Sequence, residues 1–223
     1  RPFREMIARP KISRNEWKSA EKGAFEVGNF APFSCPGLPT LHQYYARRVA
    51  PDGRSGQDGQ QFKHLRRSDF PVPAGHWYAC MQKPFKLHPA FDAMLAAIQR
   101  DDPEARLILH DVDQADARAA RRARLEAAGL DLGRVHFLAA LPHHRLLALY
   151  DLADVVLDSY LAGGCTTTRE ALELGAVVVT LPAQYLGGRW SYAYLKHIGV
   201  EDTIASSAED YVRLAVRFAT DAD

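Results

Sequence analysis

The chain has 223 residues, 47% hydrophobic and 25% charged, with a net charge of +1. That is the composition of an ordinary globular protein, which excludes a disordered chain and a stapled mini-protein. No apolar run approaches the ~18 residues of a membrane-spanning helix, so no membrane partner is expected.

Cys35, Cys80 and Cys165 lie far apart and form no CxxC pair. A disulfide framework or zinc knuckle is therefore disfavoured, and a reducing compartment is expected. The first residue is Arg1, and no basic stretch followed by an apolar one marks a leader, so the chain reads as an excerpt or processed piece of a longer protein.

Charge is uneven, +6 over residues 1–75 and −5 over the remainder. The basic residues are scattered among prolines and glycines instead of forming a stripe, and no nucleic-acid partner is expected. Residues 1–75 also hold 8 of the 13 prolines and 7 of the 15 glycines, including the polar tract Pro51–Gln61. We read 1–75 as an irregular N-terminal region, part of an upstream domain plus a connector.

From residue 76 onward strands and helices alternate. Trp77–Cys80 is a short apolar run suited to a buried strand, and Pro89 fits the first turn of the helix after it. Phe91, Met94, Leu95 and Ile98 fall at i, i+3, i+4 and i+7, the spacing of an amphipathic helix. Arg106–His110 reads as a second strand, and Ala115–Ala128 as a charged helix stopped by Gly129. Val135–Leu138 is a third strand, 142–152 a helix, and Val155–Leu157 a fourth strand. A helix over Thr166–Leu174 ends at Gly175, a fifth strand spans Val177–Leu181, and helices over Arg189–Ile198 and Ser207–Thr220 close the chain. This alternation predicts an α/β domain over 76–223, a Rossmann-like parallel sheet with helices on both faces.

In such a sheet ligands sit at the carboxyl ends of the strands, so the strand-to-helix loops are where chemistry is expected. The most informative is Asp158–Glu170, DSYLAGGCTTTRE. Gly163 and Gly164 permit close backbone approach, and three hydroxyls follow at a helix N-terminus, where free N–H groups and the dipole favour a phosphate. The plainer alternative is that Thr166 or Thr167 caps the helix and the glycines make a turn. Glu170 can bond a ribose diol or serve the helix dipole.

Lys86, beyond the first strand, can neutralise a phosphate as a point charge, although a lysine alone is by default a surface residue. No GxxxxGK[ST] and no GxGxxG after a strand occur, which argues against a P-loop or a dinucleotide site. Asp111 and Asp113 have a spacing that can hold a divalent metal, but acidic loops are common. His143 and His144 are adjacent on a helix and cannot form a two-ligand face; solvated N-terminal residues are expected, with one close to a nucleotide base.

The stretches WYACMQKPFKLHPAFD, VHFLAALPHH, ADVVLDSYLAGGCTTTREALELGAVVVTLPAQYLGGR and HIGVEDTIASSAEDYV occur in order. Together they resemble the second half of the catalytic region in the O-linked N-acetylglucosamine transferase family, which includes the Spindly-like transferases. The resemblance covers about residues 66–221. It implies the C-terminal domain of a GT-B glycosyltransferase, binding a nucleotide sugar, UDP-N-acetylglucosamine or GDP-fucose, with neither cofactor nor metal.

By the same resemblance Lys86 is the catalytic lysine at the diphosphate, with Gln82 in the same polar stretch. Leu141 meets the base through its backbone and His143 lies just beyond it. Thr166 and Thr167 are the hydroxyl pair at the diphosphate and Glu170 the acidic residue on the ribose, with Gly164, Cys165 and Thr168 completing the nucleotide-sugar-binding set. Cys165 departs from the histidine of animal members. A protein acceptor would be gripped by upstream regions, and the setting would be cytoplasmic or nuclear. A non-catalytic nucleotide-sugar-binding module is the alternative, and a metal-dependent transferase using Asp111 and Asp113 a third reading.

Overall fold

The computed structural model describes residues 64–221. The readings of residues 1–63 as irregular and of Pro51–Gln61 as a loop lie outside them, as does Cys35. Five strands, β1 His76–Cys80, β2 Ala105–His110, β3 Val135–Leu138, β4 Val155–Leu157 and β5 Val178–Val179, form one sheet. All pair in parallel in the order β3-β2-β1-β4-β5. Between and after them run α1 Pro89–Asp101, α2 Ala115–Ala127, α3 His143–Leu152, α4 Thr166–Glu173, α5 Trp190–Ile198 and α6 Ala208–Thr220.

The expected boundaries hold to within one residue, apart from the fifth strand. There only Val178 and Val179 pair with β4, and Thr180 makes a single parallel bridge to Ile204. Among the described residues β5 is an edge strand, so beyond Val179 only the backbone bonds of Thr180 to Thr203 and Ala205 extend it.

The local reasons are plain. His88 caps α1 by accepting from the Ala90 N–H at 3.1 Å, and Pro89 occupies the first turn, where no N–H is needed. Phe91, Met94, Leu95 and Ile98 are all buried on the helix face turned to the sheet. Ser207 caps α6 through the Asp210 N–H at 3.1 Å, and α6 lies along α1, with Tyr211 and Phe91 meeting edge to face at 6.0 Å. The α2 helix stops ahead of Gly129, whose φ of +92° an L side chain rarely adopts.

The strand order places the site. From β1 the chain steps outward to β2 and β3, then returns past β1 to β4 and continues the other way to β5. Right-handed crossovers put α1 and α2 on one face and α3 and α4 on the other. The loops after β1 and β4 therefore part to opposite faces and leave a crevice between them, the switch point where such sheets take ligands. The two strands are directly paired, Tyr78 against Val155 and Ala79 against Val156.

Candidate active site at the β1–β4 switch point

Two loops build the crevice. The β1–α1 loop carries Gln82, buried, and Lys86, half-buried at the end of the short helical turn Pro84–Lys86. The β4–α4 loop carries Asp158 through Cys165. A chain of hydrogen bonds joins them: the Lys86 ammonium donates to Gln82 Oε1 at 3.0 Å and to the Gly163 carbonyl at 3.1 Å, and the Gln82 amide donates to Thr167 Oγ1 at 2.8 Å. An ammonium has three N–H groups, so Lys86 is held by two and keeps one for a ligand among the described residues.

The N-terminus of α4 lies against this chain. Cys165 is the cap residue, and no side chain caps the first turn. The plainer reading of Thr166 or Thr167 as a cap is therefore not what forms. Thr166 is exposed, Thr167 accepts from Gln82, and Thr168 turns inward to share a 2.9 Å hydrogen bond with Ser191. The uncapped N–H groups keep their partial positive charge beside the lysine. Gly164 allows the approach: a Cβ there would overlap Thr168 Oγ1 and come within 2.8 Å of Gln82 Nε2 and 2.9 Å of Thr167 Oγ1. Cys165 Sγ lies 3.2 Å from the Tyr194 hydroxyl.

His143 and Glu170 meet where α3 and α4 pack, with Nε2 3.1 Å from Oε1. His143 is thus half-buried and paired instead of solvated, because the packing of two helices brings together residues 27 apart in sequence. Leu141, half-buried in the loop between β3 and α3, packs on the core just before it. His144 is also half-buried.

Sequence reasoning gave Asp158 no role. It is buried, accepting from the Gly164 N–H at 2.7 Å and the Thr180 hydroxyl at 2.7 Å, and its own carbonyl accepts from Tyr211 at 2.9 Å. Burial pushes its carboxyl pKa up, while the Gly164 and Thr180 hydrogen bonds pull it down. Asp158 fixes the direction of the glycine loop, and Gly163 completes the frame by donating its N–H to the Gly187 carbonyl at 2.9 Å. Leu161 in this loop has φ of +73°, a conformation that strains a non-glycine residue and that the surrounding contacts must maintain. The signal for Asp158 was a carboxylate directly after an apolar strand, facing a glycine pair.

Asp111 and Asp113 lie apart from this crevice, after β2. Asp111 accepts from the Val112 N–H at 2.8 Å and pairs with Arg118 at 3.3 Å. Among the described residues no three His, Cys, Asp or Glu side chains converge as metal ligands do, and no helix is long and apolar enough to cross a membrane.

The sequence profile described as Glycosyl transferase family 41 matches residues 56–223. A UDP-N-acetylglucosamine–peptide N-acetylglucosaminyltransferase of Caenorhabditis elegans is 37% identical over 95 residues, 43% of this chain and 8% of that protein. A probable SPINDLY transferase of Eustoma exaltatum is 35% identical over 98 residues, 44% of this chain and 11% of that protein. The chain thus spans about a tenth of these relatives.

A solved Thermobaculum terrenum O-GlcNAc transferase mutant superposes with a TM-score of 0.63 at 28% identity, covering 69% of this chain and 30% of that one. A UDP-forming trehalose-phosphate synthase of Burkholderia vietnamiensis shares the fold, with a TM-score of 0.53 at 11% identity over 74% of this chain and 42% of its own. With the family profile covering most of the sequence and a Rossmann-like sheet of GT-B type beneath it, this chain belongs to glycosyl transferase family 41.

Proposed function

We propose that residues 76–223 are the nucleotide-sugar-binding domain of a glycosyltransferase that moves N-acetylglucosamine from its UDP ester to Ser or Thr hydroxyls of proteins, the acceptor being held by regions upstream. The observation that carries this reading is the lysine, glycine and helix N-terminus meeting at the switch point. In a transfer reaction negative charge develops on the departing diphosphate. Lys86 and the N–H groups at Thr166 and Thr167 are donors fixed in advance where that charge would form, and such fixed donors stabilise a transition state without reorganising. Glu170, held by His143, is the acceptor for a ribose diol, and Leu141 offers backbone to the base. The choice of UDP-N-acetylglucosamine over GDP-fucose rests on the names of the relatives. We assign the protein to the cytoplasm or nucleus on the same likeness.

Titration calorimetry with UDP and GDP, with and without a chelator, tests the reading. UDP is expected to bind equally in both conditions. Affinity abolished by the chelator would overturn the metal-independent site and promote Asp111 and Asp113. In a two-walled transferase the wall that orients the acceptor supplies a proximity contribution that can reach about 7–11 kcal/mol, so these 223 residues by themselves are expected to bind donor yet transfer sugar to peptides far more slowly than a protein that also carries the remaining length of the relatives.

A further inference from the structure

A second group of cations lies on the other side of β1, outside the proposed donor crevice. The β1–α1 loop, the β2–α2 loop and α2 as far as Arg124 line an open cavity of about 640 Å³, with Lys83, Phe85, His110, Val112, Arg121 and Arg124 among its residues. This is the size of a small-molecule pocket.

Arg121 is the telling residue. Its side chain is only 7% exposed. One guanidinium nitrogen donates to the His110 carbonyl, while Nε and Nη2 are buried with no acceptor among the described residues. Phe137 covers another side of the group, its ring centroid 5.4 Å away. Burial lowers the pKa of this guanidinium, so its charge is incompletely compensated by what surrounds it. Buried donors are nearly always satisfied, and Arg121, with two nitrogens lacking an acceptor, is among the residues that line the cavity; such a guanidinium fork suits a planar or tetrahedral oxyanion.

The neighbours agree in sign. Lys83 is exposed at the rim, its Nζ 3.3 Å from His110 Nε2. His110 Nδ1 lies 2.7 Å from the Asp111 carbonyl, so that nitrogen carries the proton and Nε2 accepts from the lysine. Asp111 turns to Arg118, and Arg124 is matched by Asp92 at 2.7 Å. Asp113 remains at the rim as the opposing charge. The N-terminus of α2 also opens here, its cap residue Gln114 making no side-chain cap bond. Phe85, 86% exposed, and Val112 supply an apolar wall.

We propose that this cavity is a second anion site, distinct from the donor crevice, taking a small molecule with one phosphate or carboxylate group on an apolar body. The oxyanion would engage Arg121 and Lys83, and the apolar body would lie against Phe85 and Val112.

The test follows the Arg121 Nε–H signal by NMR in the 15N-labelled 223-residue chain during titration with phenyl phosphate, phenylacetate and neutral benzyl alcohol. At least one anion should shift the signal saturably, and which one does so assigns phosphate or carboxylate; the alcohol should not. Saturating UDP should leave the titration unchanged. Arg121→Gln should weaken anion binding by about tenfold or more, the loss of a charge-assisted bond. Because that variant can unfold, Lys83→Met at the exposed rim provides the second readout: weaker anion binding with UDP affinity retained. No saturable shift with either anion, displacement by UDP, or unchanged anion affinity in Lys83→Met would each overturn the proposal. The direct anion titration and its weakening in Lys83→Met are read without UDP, so they stand or fall separately from the proposed donor site.

Discussion

The two ends of the sheet use polar residues in opposite ways. At the amino ends, buried carboxylates are consumed by the fold: Asp154 accepts from the Trp77 N–H at 2.6 Å and pairs with Arg67 at 2.7 Å, and Asp102 accepts from the Tyr78 hydroxyl at 2.7 Å with His76 beside it at 2.8 Å. Arg134 donates to three carbonyls, those of Gln99, Asp102 and Pro103. At the carboxyl ends, Lys86 and the first turn of α4 keep N–H groups that no side chain among the described residues takes up, which is where we propose the donor binds. Strands that all run one way send every strand-to-helix turn to one edge, so one edge can specialise in holding and the other in binding.

The strongest way to break this comparison is at the holding edge. Asp154→Ala leaves the buried Trp77 N–H without its acceptor and strips Arg67 of its carboxylate, leaving that guanidinium only the Leu152 and Gly75 carbonyls, and should cost about 3–5 kcal/mol of stability. Urea unfolding measures that loss, and calorimetry on the folded protein should find UDP affinity unchanged. A comparable loss of UDP affinity would mean the two edges are not separate. At the binding edge the effects should reverse. Lys86→Ala should weaken UDP binding by about 1.5–3 kcal/mol, the range for a charge-assisted hydrogen bond, with little change in the unfolding midpoint. Gly164→Ala should also lower UDP affinity, because the added methyl displaces Thr168, Gln82 and Thr167, but unlike Lys86→Ala it should cost about 1–3 kcal/mol of stability as well.

Much of this division was legible in the sequence. The strands β1 to β4 are short apolar runs between turn signals, and Lys86, Gly164 and Thr167 converge because loops after parallel strands must share an edge. What the sequence hid were pairings set by how helices pack. His143 reaches Glu170 through the α3–α4 contact, and Thr168 is drawn inward by Ser191 on α5. Periodicity says which face of a helix is buried, not which helix it meets. Asp158 was hidden for a different reason: an acidic residue after a strand reads as solvated until the loop folds back over it.

The smallest effect sharpens the comparison within a single element, since α4 runs from one edge to the other. Its first turn is the proposed anion site, and its last residue, Glu173, lies at the opposite pole, where the helix dipole disfavours a negative charge. Burial pushes the Glu173 carboxyl up to about 7; Arg169, 3.8 Å away, pulls the other way, and the like charge of Glu170 adds to the rise. A folded-state pKa above the ordinary 4.5 means that the folded protein holds this proton more tightly than the unfolded chain. The site's contribution to stability is therefore complete at low pH, falls as pH rises from 4.5 through about 7, and stays low above that. Glu173→Gln removes the ionisation and with it the slope. Allowing for the solvent that still reaches the carboxyl, the variant should be more stable than the parent by about 1–2 kcal/mol at pH 8 and nearly equal to it at pH 4.5. Urea unfolding at the two pH values measures the difference. An equal gain at both would show that Glu173 acts through packing instead of charge, and the far pole of α4 would then belong to the same uncharged frame as the helix interior.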